Sequence, residues 1–104
     1  MDETKELNQA ISSRFEMAVS ESLAFDDMKH ALYTRIRDLL DKNLERLLSM
    51  LYRVDLSQKK LDEIFENGSK DKIAMNIAEA VIERQLQKIK TREFYKHPES
   101  RMIK

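Results

Sequence analysis

The chain has 104 residues, 19 of them basic and 19 acidic, and no cysteine. That length holds one domain, and the balanced charge gives bulk electrostatics no preference for nucleic acid or membrane as a partner. The missing cysteine excludes disulfides, thiolate metal sites and a cysteine nucleophile, while one Gly and one Pro supply too few turns for a many-stranded β fold.

Leu, Ile, Val and Phe make up 27 of the 104 residues, above the roughly one-fifth below which chains stay disordered. Charge-free runs such as 47–52 and 73–78 fall far short of the ~18 residues needed to cross a membrane. The start, Met-Asp-Glu-Thr-Lys-Glu, lacks the basic-then-apolar order of a signal peptide. A cytoplasmic protein without a membrane partner is the expectation.

In chain order, the first predicted helix covers 3–24. Leu7, Ala10, Ile11, Phe15, Ala18 and Phe25 recur at spacings of three, four and seven, although Arg14 and Ser22 interrupt that face. Four serines, Ser12, Ser13, Ser20 and Ser22, lower its intrinsic helicity. Asp26 is a candidate N-cap for the second helix. From there Met28, Leu32, Ile36, Leu39, Leu40, Leu44, Leu47, Leu48, Leu51 and Val54 hold helical phase, with no Gly or Pro before Asp55. This predicts one helix over 27–54. Asn43 lies in the middle of that stripe. Either the helix breaks there and Asn43 caps a second segment, or the Asn is buried; the unbroken phase favours one continuous helix.

Ser57 reads as the N-cap of a short helix over 58–66, with Leu56 and Leu61 as its hydrophobic staple and Asn67-Gly68 as its end. A last long helix is predicted over 70–95, and Pro98 ends it, leaving 98–104 as a loose tail. Its first half is apolar on most sides and its second half keeps only Leu86, Ile89, Phe94 and Tyr95. The whole is an all-α single domain over 1–104. It is a bundle of about four helices, two of them long and antiparallel.

Charge is segregated along the chain. Residues 1–27 carry net −5 and residues 84–104 carry net +5. The simplest expectation is complementarity, the acidic first helix lying near the basic last one in the same chain or in a partner. The alternative is a contact with nucleic acid or the ribosome through the basic patch of Lys88, Lys90, Arg92 and Lys96, beside Phe94 and Tyr95 as stacking surface.

Chemistry-bearing patterns are few. One Gly cannot make a phosphate loop, His30 and His97 are far apart, and Asp27 with His30 is one pair, with Asp for Glu, where a helical di-metal site needs two pairs and two further Glu. No catalytic, metal-binding or cofactor-binding residue is predicted, and an enzyme is the weakest class. Polar residues on apolar faces say more. Arg84 shares the phase of Ile77, Ala80 and Val81, so its stem is expected to be buried and its guanidinium needs an acceptor. Asp55, or a carbonyl between Leu51 and Val54, is the expected acceptor.

The segments Leu48-Ser-Met-Leu-Tyr-Arg-Val-Asp-Leu-Ser57 and Ile82-Glu-Arg-Gln-Leu-Gln-Lys-Ile-Lys-Thr-Arg92 resemble a group of small bacterial all-helical proteins. These share an "LYR[IV]D" helix end and an "IERQLQK" last helix, and the similarity spans about residues 30–95. The resemblance implies a fold and no activity. It marks Tyr52, Arg53, Asp55, Glu83, Arg84, Gln85 and Gln87 as polar positions to follow, beside Asn43.

Two helices near 40 Å would overhang a compact domain of this size, leaving Met50, Leu86, Ile89 and Phe94 to be buried by another chain. The functional expectation is therefore a non-enzymatic protein-interaction protein acting as a homodimer, through the first helix and the second half of the last.

Overall fold

The computed structural model describes residues 3–66 and 68–96. All regular structure among them is helical: α1 (Glu3–Arg14), α2 (Phe25–Lys42), α3 (Leu44–Arg53), α4 (Gln58–Phe65) and α5 (Lys70–Lys96). There are thus five helices rather than about four. The predicted tail, 98–104, lies outside the described residues.

The first helix stops ten residues before the expected 24. Leu7 and Ile11 of α1, and Phe15 just beyond it, are buried, so the apolar face is real. The chain then turns at Glu16, whose φ of 53° lies in the left-handed region. The loop that follows is held by side chains of α1. Ser12 Oγ donates to the Met17 carbonyl and accepts from the Val19 amide at 3.5 Å. Asn8, fully buried, donates from Nδ2 to the carbonyls of Ser20 at 3.2 Å, Glu21 at 3.1 Å and Leu23 at 2.9 Å. Short polar side chains offer the backbone alternatives to the helical ladder, which is why a serine-rich segment leaves the helix here.

The second correction is at Asn43. The expected helix over 27–54 is two helices, α2 starting at Phe25 behind Ala24 rather than at an Asp26 cap. Asn43 has φ −157° and ψ 78°, outside helical geometry. Its N–H still donates to Leu39 O at 2.8 Å, closing α2, and its Oδ1 accepts from the Arg46 N–H at 3.1 Å, opening α3. A buried Asn would have lost water for its amide; as a cap it satisfies an orphan donor and stays exposed. Leu39 and Leu47 on either side are both buried, so the apolar phase survives the break.

α2 and α5 run antiparallel, as their ion pairs show. Lys29 meets Glu79, Arg37 meets Asp71, and Asp41 meets Lys70, so partners fall in number on α5 as they rise on α2. At the Asp41 end the Lys70 ammonium and the Arg37 guanidinium hold the Asp41 carboxyl down to about 2. Ser57 Oγ caps α4 through the Lys60 N–H at 3.1 Å. Gly68 takes φ 84° before α5, a conformation that costs glycine nothing.

α5 contacts α1, α2 and α4, and is the axis on which the other helices pack. Its Ala74, Ile77, Ala78, Val81 and Ile89 are buried, as are Met28, Leu32 and Ile36 of α2 and Leu47, Met50 and Leu51 of α3. Each of these Leu, Ile, Val and Met side chains contributes about 1.5–3 kcal/mol by leaving water. Met50 and Ile89 are therefore core residues of one chain and Leu86 packs against that core. Only one of the two helices expected near 40 Å has that length: α5 has 27 residues, about 40 Å, whereas α2 has 18, about 27 Å.

Candidate functional site

Two surfaces concentrate unusual chemistry. The first is a groove of about 690 Å³ between α1 and α5, lined by Ala10, Ser13, Arg14, Arg84, Gln85, Lys88 and Thr91. Helical spacing assembles it: Ala10, Ser13 and Arg14 are one turn apart on α1, as are Arg84, Lys88 and Thr91 on α5. Three cations meet there, and no carboxylate is among the described lining residues.

Neither guanidinium has all its donors engaged. Arg84 Nη2 donates to Asp55 Oδ2 at 3.0 Å and its Nη1 to Gln87 Oε1 at 3.3 Å, while Nε is buried without an acceptor. This bond ties the end of α3 to the middle of α5. Asp55 itself takes φ 63°, a left-handed conformation that Asp tolerates better than most residues. Arg14 Nη1 donates to the Arg53 carbonyl at 3.2 Å. Lys88 has no ion-pair partner among the described residues. Burial, and then the nearby charges of Arg14 and Arg84, lower its pKa below that of a free lysine, with Asp55 opposing weakly.

Gln85 is the other notable member. It is 3% exposed and its Nε2 has no acceptor. A buried donor left open costs about 1–3 kcal/mol, and most buried polar groups are satisfied.

The second surface is apolar. Leu44, Leu48 and Tyr52 succeed one another by four residues along α3 and, with Gln58, Leu61, Asp62 and Phe65 of α4, line a depression of about 250 Å³. Leu44 is 46% and Tyr52 67% exposed. Phe25 and Met75 are also exposed, but outside this depression.

The sequence-predicted polar residues scatter between these surfaces. Arg84, Gln85 and Lys88 are brought together, with Asp55 and the Arg53 carbonyl behind them. Asn43 is a cap and lines neither surface. Lys90 is exposed, two residues and hence ~200° round the helix from Lys88. The side chains of Arg92, Lys96, Phe94 and Tyr95 lie outside the described ones. The acidic first helix does lie against α5, but the described pairs of Glu16 and Glu21 are made elsewhere. Glu16 is engaged by Arg46 and lies 3.9 Å from Arg35, and Glu21 pairs with Lys5 at 3.5 Å, so neither acid turns to α5. Into the groove itself α1 brings a third cation, Arg14.

Sequence reasoning did not select Arg14 or Asn8 as site residues. The signal for Arg14 was its place inside the apolar face of α1. For Asn8 it was sharing a phase with Phe15 seven residues on. Compared with family models, curated proteins and solved structures, the chain matches none. Among the described residues no helix is long and apolar enough to cross a membrane.

Proposed function

We propose that this chain is a non-catalytic helical protein that acts through protein contacts, as a homodimer whose copies meet on the α3–α4 face. The observation that carries this reading is the apolar row Leu44, Leu48 and Tyr52, with its two outer members exposed beside Leu61 and Phe65. Exposed apolar side chains are ordinary singly and informative when contiguous.

The row is also self-complementary. An antiparallel copy of α3 centred near Leu48 places Leu44 opposite the partner's Tyr52 and brings the flanking Glu45 toward the partner's Arg53. The same contact forms twice across a two-fold axis. It differs from the interface expected from the sequence, since Leu7 and Ile11 of α1 and Ile89 of α5 are buried within the chain. An interface built on two short helices lies at the small end of specific contacts, with a dissociation constant of about micromolar order.

Light scattering at roughly 100 times that concentration tests the reading. Twice the chain mass is expected for the unaltered protein and a single-chain mass for the double variant Leu44→Asp, Tyr52→Asp. Met75→Asp, altering an exposed apolar residue elsewhere, should leave the dimer intact. A monomer throughout, or a dimer indifferent to Leu44 and Tyr52, refutes it.

A further inference from the structure

This chain is neutral overall, yet Arg14, Arg84 and Lys88 converge on one groove. Bringing three cations together opposes folding unless something anionic repays it, and the described lining residues offer no carboxylate to do so. Asp55 neutralises part of Arg84 from behind, where it holds Nη2 at 3.0 Å. Burial first, and then the charges of Arg14 and Arg84, depress the basicity of Lys88.

A second observation is independent of charge. Gln85 sits between Val81 and Ile89 in helical phase, 97% buried, with its Nε2 donor unmet. An aliphatic side chain would suit packing there as well or better. A polar donor kept at such a position, lining the groove, points to an acceptor brought by a ligand.

We propose that the α1–α5 groove binds a phosphoryl group carried by a small molecule, with Arg14, Arg84 and Lys88 taking its charge and the Gln85 amide donating to one of its oxygens. Three positive charges suit the dianion and several oxygens of a phosphoryl group better than the single charge of one carboxylate. Arg84 spends two and Arg14 one of the five N–H donors of a guanidinium in described bonds, so donors remain for such an oxyanion. Gln85 Nε2 is covered by its neighbours, so it reaches the ligand by rotation about the terminal amide torsion, which is broad and nearly two-fold. The groove's volume falls within the roughly 300–1,000 Å³ of small-molecule sites, leaving space beyond the phosphoryl group. A nucleic-acid backbone would instead draw on an extended basic surface, whereas Lys90 points away from the groove.

Titration calorimetry of the full chain tests this with pyrophosphate and ADP as probes, and with citrate and a single-stranded RNA oligomer as comparisons. Pyrophosphate or ADP should bind, and citrate at least about tenfold more weakly. Lys88→Glu should abolish binding, and Lys90→Glu should leave it unchanged. Gln85→Leu keeps every charge and should weaken binding about tenfold, the loss of one hydrogen bond to a charged group. Thermal melts of each variant separate lost binding from lost fold. Citrate binding as tightly as pyrophosphate would reduce the groove to a plain cation cluster. RNA binding without pyrophosphate binding, no binding by any probe, or an unchanged affinity in a folded Gln85→Leu would each overturn the proposal. None of these outcomes depends on whether the chain dimerises through α3.

Discussion

Asn8 and Gln85 are both buried amides, on the two helices that face each other, and they are used differently. The Asn8 Nδ2 group reaches three carbonyls of the segment after α1, so its donors are spent on holding the chain's own loop. The Gln85 donor has no such outlet. Asn8 does leave its Oδ1 without a donor, but an underused carbonyl is a commoner and cheaper defect than an orphaned N–H. The same functional group therefore serves as a structural clasp on one helix and stays available on the other. The difference lies in what the neighbouring backbone offers. Around Asn8 a non-helical segment presents carbonyls that need donors; around Gln85 the α5 carbonyls are consumed by the helix itself.

The largest effect follows from the clasp. Asn8→Ala removes three contacts at once and leaves the carbonyls of Ser20, Glu21 and Leu23 to find other donors. A loss of about 2–3 kcal/mol is expected, from the cost of unsatisfied buried groups. For a domain of this size that is roughly 10–20 °C in melting temperature. Hydrogen exchange should quicken first in the loop after Phe15. A melting temperature within a few degrees of the parent would mean that the loop is held by Ser12 and the buried Phe15 alone, and the contrast with Gln85 would lose its structural half.

Arg84 tests the other side at intermediate size. Its phase alone would suggest a buried charge pair, costly to break. The side chain is in fact 35% exposed and that of Asp55 71%, so water screens much of the pair. Arg84→Ala is expected to cost about 1 kcal/mol, mostly through the stem's lost packing and the released end of α3. Lys90→Ala, on the exposed side of α5, should stay within about 0.5 kcal/mol. Equal urea midpoints for the two would detach Arg84 from the frame altogether.

These residues also show what was legible in the sequence. Most of each predicted apolar stripe is buried, because burial follows phase and phase is local, but Ala18, Phe25 and Leu44 of those stripes are exposed. The all-α class follows from those stripes and the scarcity of Gly and Pro. Asn43 shows the limit. Leu39 and Leu47 keep their phase across a one-residue break, so periodicity cannot tell one helix from two. The evidence lay in the side chain itself, a residue that caps well and buries badly. The early end of α1 was likewise hinted at by Ser12, Ser20 and Ser22, which now bond within the loop. Arg84 and Asp55 could be paired from phase and element ends. The meeting of Arg14 with Lys88 could not, because it depends on how α1 docks on α5, which no local pattern encodes. Net charge hid it as well, since a neutral total is compatible with any local clustering.

The smallest expected change in stability has the most informative sign. Gln85→Leu exchanges a buried amide for an aliphatic group of similar size, at a position flanked in phase by Val81 and Ile89. If the Nε2 group is unmet in the folded chain, its removal deletes a desolvation cost and sacrifices no hydrogen bond. Folding should then be unchanged or firmer, by up to about 1 kcal/mol, which urea midpoints resolve. Most substitutions of buried residues destabilise, so even a neutral result distinguishes this site from an ordinary core position. A loss of about 2 kcal/mol, comparable with that expected for Asn8→Ala, would mean that Gln85 bonds within the protein and that the two amides are equivalent. Stability gained here together with phosphoryl affinity lost would show why the amide persists: a donor that burdens the folded chain until a ligand oxygen meets it.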